Sequence, residues 1–156
     1  MNKTNAMRLL DAAKIQYEVK EYVVDENDLS GVNIATQIGL PFEQVFKTLT
    51  ARGDNTGVVV FCIPCHKEIN LKRAAVATGN KRVELLHVKE LLSVTGYIRG
   101  GCSPIGMKKK YPVFIDRSSE NFEKITVSSG KKGAQLLLKT EELVKFVDAT
   151  LCEIAD

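Results

Sequence analysis

The chain of 156 residues has only two histidines, His66 and His87, and four cysteines. With so few histidines, and with no serine or carboxylate at a distinctive spacing, a histidine general base or a Ser-His-Asp relay has little material to work with. The cysteines supply one close pair, Cys62 and Cys65, while Cys102 and Cys152 stand alone, so no second pair completes a four-ligand metal centre. Neither a metal nor a cofactor is expected. The start of the chain, Met1-Asn2-Lys3-Thr4-Asn5-Ala6, leads into a charged amphipathic stretch without an apolar signal core, and no apolar run is long enough to cross a bilayer. The expectation is a soluble, cytoplasmic protein with reduced thiols and no membrane partner. Repeats, low-complexity tracts and linkers are also missing. One domain over residues 1–156 is therefore expected, and 44% hydrophobic residues suffice for a core without disulfides. The net charge of +3 argues for no partner by itself, and DNA is not expected. Its distribution is more telling: Arg99, Lys108, Lys109 and Lys110 face no acid between Gly96 and Lys110, and Lys131-Lys132 follow in a second glycine-bearing stretch.

Thr4 or Asn5 caps a first helix with Met7, Leu10 and Ala13 at helical spacing, followed by a strand near 15–23. After a polar loop over 25–33, Ile34 and Ile38 predict a short helix stopped at Gly39-Leu40-Pro41. Strands are expected over 45–51 and 57–63, joined as a hairpin around Gly53-Asp54-Asn55. Leu71, Ala74 and Ala75 share a helical face, and 88–94 gives another short helical turn. Strands follow at 112–116, 124–127 and 135–138, then a helix at 141–147 and a last strand at 150–154. This order predicts an α/β (α+β) domain with a bent, mostly antiparallel, partly barrel-like mixed sheet flanked by helices.

Three stretches carry chemistry. In Val45-Phe46-Lys47-Thr48-Leu49, alternation puts Lys47 on the face of Val45 and Leu49, where an ammonium group is costly unless an acceptor meets it. Lys47 is either the floor of a polar pocket or an edge lysine whose stem covers apolar surface. Gly96-Tyr97-Ile98-Arg99-Gly100-Gly101-Cys102-Ser103-Pro104-Ile105-Gly106 is too rich in glycine for helix or strand and reads as a shaped loop, with bare main chain at Gly100-Gly101 or simply a connection. Ser128-Ser129-Gly130-Lys131-Lys132-Gly133 follows a strand and has the same character, either a cradle for a carboxylate, ribose or phosphate or a hairpin turn with solvated lysines. Its spacing is not that of a P-loop, so nucleoside triphosphate binding is not expected. Lys108, Lys109, Lys110, Lys131 and Lys132 are candidates for tracking a nucleic-acid backbone, with a steep salt dependence. Cys62-Ile63-Pro64-Cys65-His66 matches haem-attachment and redox patterns but lacks the export signal or early βαβ unit those require, so it reads as a buried strand end and a loop cysteine.

In order and spacing, these three motifs together resemble the YbaK/EbsC family, over nearly the whole chain. That family is similar to the editing domain of bacterial prolyl-tRNA synthetases and includes free-standing deacylases of cysteinyl-tRNA(Pro). The resemblance implies that Lys47 is the essential residue, with Tyr22, Thr48, Gly100, Gly101, Ser128, Gly130 and Gln135 around the aminoacyl group and terminal adenosine. It implies mischarged aminoacyl-tRNA as substrate and prolyl-tRNA synthetase as partner. It also implies a reaction in which the substrate's own thiol attacks its ester, so that the enzyme positions and Lys47 stabilises charge. Two departures bear on the amino-acid preference: Gln135 stands where some relatives have an acid, and no aromatic lies between Tyr22 and Phe42, although a phenylalanine is expected near Leu29 or Ser30. An alanyl-tRNA(Pro) hydrolase, a non-catalytic tRNA- or synthetase-binding module, and a thiol redox protein are the alternatives.

Overall fold

Thr4 sets the start of the first helix, its hydroxyl accepting the Met7 N–H at 3.2 Å in place of a missing helical partner. In the computed structural model, which describes residues 2–156, that helix, α1 (Asn5–Ala12), buries Ala6, Met7 and Leu10. The chain continues through β1 (Tyr17–Glu21), α2 (Gly31–Ile38), β2 (Phe46–Gly53), β3 (Gly57–Pro64), α3 (Leu71–Thr78), β4 (Val83–Leu85) and α4 (Val88–Thr95). It ends with β5 (Val113–Asp116), β6 (Lys124–Ser128), β7 (Ala134–Lys139), α5 (Thr140–Phe146) and β8 (Thr150–Cys152). Single 3₁₀ turns occupy Phe42–Gln44 and Arg117–Asn121.

The strands form two sheets, β1-β7-β6 and β4-β2-β3-β5-β8. β7 runs antiparallel to β1 and β6, and β2 antiparallel to β3 and β4, whereas β3–β5 and β5–β8 are parallel. The predominance of antiparallel pairing agrees with expectation. One parallel bridge, Val45 to Thr126, links the sheets, and among the described residues they do not close into a barrel. β4 was not expected, because three residues paired only with Ala51–Gly53 carry no period of their own. Leu71, expected inside with Ala74 and Ala75, is instead 40% exposed at the mouth of α3.

Alternation in β2 and β3 divides the apolar residues. Phe46, Val60 and Cys62 join α1, α5, β6 and β7 in the main core. On the opposite face, Ala51, Val59, Phe61 and Ile63 pack under Ala74 and Ala75 of α3, with Leu49 at the margin. A small third cluster joins Ala35 of α2 to Val45 and Cys65.

Candidate active site

Lys47 lies on β2 opposite Ile63, on the face of Val45 and Leu49, as its alternation requires. It is half-buried, and its ammonium group makes no hydrogen bond or ion pair among the described residues. The neighbouring Cys65 thiol is pushed up to about 11 by burial, and the Lys47 charge opposes that rise. Because Val45 bridges Thr126, Lys47 and Ser128, each two residues further along parallel strands, emerge on the same side.

That side of the three-stranded sheet is polar. Thr126, Ser128 and Gln135 are all buried there, while Ile125, Val127, Leu136 and Leu138 turn into the main core. Thr126 Oγ1 donates to Gln135 Oε1 at 3.1 Å, and the Gln135 amide N–H groups have no acceptor among the described residues. Gln135 pairs with Lys20 as well as with Ser128, so Tyr22, two residues beyond Lys20, continues the same face. Tyr22 is half-buried, and its N–H donates to Gly133 O at 3.0 Å.

Thr48 is elsewhere. It pairs with Cys62, its hydroxyl lies 3.7 Å from Cys62 Sγ, and it faces the opposite side of β2 from Lys47. Thr50, on Thr48's face, has its hydroxyl 3.9 Å from Cys102 Sγ, which ties the first glycine loop to that side.

The two glycine loops are stacked main chain on main chain. A Cβ on Gly101 would come within 3.2 Å of the Lys131 Cα and carbonyl carbon and 3.3 Å of the Lys132 nitrogen, a tight fit that favours glycine. Gly100 has a φ of +88°, which suits it to glycine. Ser128 Oγ accepts the Gly130 N–H at 3.2 Å and Ser129 Oγ the Lys131 N–H at 3.4 Å, so both hydroxyls shape the turn. Thr4 pins it further, donating to Ser129 O at 2.7 Å. Tyr97 was missed by the sequence reading: its ring packs against Gly130 and its hydroxyl donates to Ile105 O, so one aromatic spaces both loops. The available signal was its place beside Gly96 at the head of the glycine run.

The lysines divide into two groups. Lys131 is exposed beside the loops, and Lys132 is ion-paired with Glu26 at 3.1 Å. Lys108 donates to Ser93 O at 3.3 Å, whereas Lys109 and Lys110 line a separate concavity of about 290 Å³ with Phe146 and Val147. Two further concavities, of about 660 and 650 Å³, lie against α5 and hold none of the site residues named above. The Cys62 thiol is fully buried and pushed up to about 12 by that burial, so neither member of the Cys62/Cys65 pair has the lowered pKa of a redox nucleophile. All four cysteines are free.

Comparison with known proteins identifies the family. Residues 30–146, which take in β2 and both glycine loops, match the family model described as the aminoacyl-tRNA editing domain. Over 152 residues the chain is 43% identical to the Enterococcus faecalis protein named "Putative Cys-tRNA(Pro)/Cys-tRNA(Cys) deacylase EbsC", covering 97% of this chain and 93% of that one. Two solved structures share the fold. One is described as "a putative trans-editing enzyme for prolyl tRNA synthetase" (TM-score 0.82, 17% identity, 99% of each chain covered). The other is the hypothetical protein APE2540 (TM-score 0.86, 21% identity, 96% of this chain and 97% of that chain covered). With its lysine strand and both loops inside the matched region, and a relative this similar along almost its whole length, the chain belongs to the aminoacyl-tRNA editing domain family.

Proposed function

We propose that the protein is a free-standing deacylase that clears cysteine wrongly attached to tRNA(Pro), and also acts on cysteinyl-tRNA(Cys). One observation carries this reading: a half-buried lysine whose ammonium group has no partner among the described residues emerges on the same polar face as Ser128 and Gln135, and Ser128 leads directly into the second glycine loop. Similarity to EbsC supports the choice of substrate.

The substrate sulfur forms a bond to its own ester carbonyl carbon, the bond to the ribose oxygen breaks, and that oxygen departs with the proton. Free tRNA and a cyclic thiolactone result. Lys47 stabilises negative charge as it develops on the reacting oxygens. Tyr22, Gln135, Ser128 and Gly130 border the aminoacyl group, and Gly100 borders the terminal adenosine while Gly101, buried against Lys131, holds the two loops together. Thr48 supports β2 from behind, because its hydroxyl faces Cys62. Holding thiol and ester together contributes several kcal/mol, about 7–11 in favourable model systems, so no protein base is required. Prolyl-tRNA synthetase is the proposed partner that supplies tRNA selectivity in the cytoplasm.

The test is a panel of cysteinyl-, alanyl- and seryl-tRNA(Pro), with and without the synthetase. Wild-type protein should deacylate the cysteinyl form and spare the alanyl form, and Lys47→Ala should abolish turnover with the fold intact. Rapid alanyl-tRNA hydrolysis would indicate water as nucleophile and an alanine editor, and full activity in Lys47→Ala would remove the lysine from the mechanism.

A further inference from the structure

Lys132 stands at the junction of the two glycine loops and is already occupied. Its ammonium group lies 3.1 Å from both carboxylate oxygens of Glu26, which is 106 residues away along the chain. Its stem passes over Gly100, where a Cβ would sit 3.4 Å from the lysine Cγ and Cε and 3.7 Å from Leu29 Cδ1. The segment carrying Glu26 is therefore a strap across the loops. Gln37 of α2 holds its upstream end, accepting the Val23 N–H at 2.9 Å and donating to Val23 O at 3.0 Å, and Val24 rests near Gly133. At its tip, Asp25, Glu26 and Asp28 present acids in a row.

Beneath the strap, the main-chain N–H groups of Gly100 and Lys132 donate to no acceptor among the described residues. Unpaired main-chain donors beside an ammonium group are suited to an anion. The lysine side chain is 24% exposed and the glutamate 69%, so the pair is partly open to water and exchanges easily.

We infer that Glu26 stands in for a nucleic-acid phosphodiester. In the free protein it satisfies Lys132, and an RNA 3′ end entering the site displaces it, so that a phosphate next to the terminal nucleoside takes over the ammonium group. The inference rests on the proposed function for the identity of the RNA end, yet it concerns binding and not ester cleavage.

Binding of the uncharged tetranucleotide ACCA, compared with adenosine alone, tests this without any deacylation. Glu26→Gln should tighten the tetranucleotide about two- to fivefold at low salt, as expected for removal of a partly exposed competing charge, and leave adenosine unchanged. The gain should fade at high salt, and it should vanish in a Lys132→Gln background. Unchanged or weaker tetranucleotide binding by Glu26→Gln would overturn the inference, as would an equal gain for adenosine or a gain that persists without Lys132. Because the assay uses uncharged RNA, a protein that binds in this manner but cleaves no ester would refute the proposed function alone.

Discussion

Gly101→Ala separates the site from the fold. The added methyl would meet Lys131 and Lys132 at 3.2–3.3 Å, and its neighbours are main-chain atoms that cannot rotate aside as a side chain would. The two loops must part by a few tenths of an ångström. The stability cost falls at the low end of the overpacking range, about 1 kcal/mol, because the shift required is small although Gly101 is buried. The catalytic cost is larger. Positioning carries this reaction, and a 1 Å misplacement can cost about a hundredfold, so a partial displacement should lower kcat/KM for cysteinyl-tRNA(Pro) about tenfold. Gly79→Ala is the matched control: its Cβ meets nothing within 4 Å, but its φ of +77° at the end of α3 makes alanine unfavourable by about 1 kcal/mol. Urea denaturation should therefore show similar losses for the two variants while single-turnover deacylation separates them, Gly101→Ala being slow and Gly79→Ala fully active. Wild-type turnover by Gly101→Ala would refute the claim that the stacked loops set the geometry of the site.

At Gly31, the first residue of α2, a Cβ would overlap Cys65 Cβ. Overpacking of about 1–3 kcal/mol, less up to about 1 kcal/mol gained from replacing glycine in a helix, leaves Gly31→Ala about 1–2 kcal/mol less stable by urea denaturation. Cys65→Gly should recover part of that loss and Cys65→Ala none, since the colliding atom is the Cβ that alanine retains. The buried thiols also predict a pH dependence. Cys62 and Cys65 titrate near 12 and 11 in the folded protein against an ordinary 9, so the native state holds protons that the unfolded chain releases. Their contribution is complete below pH 9 and is lost as pH rises from about 9 towards 11 and 12, which denaturation midpoints should follow. At pH 8, alkylation of both thiols should be slow in the native protein and fast in urea, and a fast native phase at either residue would revive the redox reading.

What was legible in the sequence was local. Thr4 and the Gly39-Leu40-Pro41 stop mark helix ends through one or two residues, and the hairpin between β2 and β3 announces itself in the glycines its register joins, Gly53 and Gly57. Lys47 was legible for the same reason, since period two is intrinsic to a strand. That same period places Thr48 on the opposite face, and the structure follows the period: the family resemblance grouped two consecutive residues that a strand must point apart. The remaining features depend on contacts between distant segments, which leave no trace in spacing. The Val45–Thr126 bridge that brings Lys47 beside Ser128 is a single parallel contact without a turn to signal it. The stacking of Gly101 on Lys131, the Tyr97 ring between the loops and the Glu26–Lys132 pair are of the same kind. A sequence can show that two loops are bare. That they are bare because each is the other's wall is a property of the packed chain, and it explains why glycine fits Gly101 best even though its backbone has no positive φ.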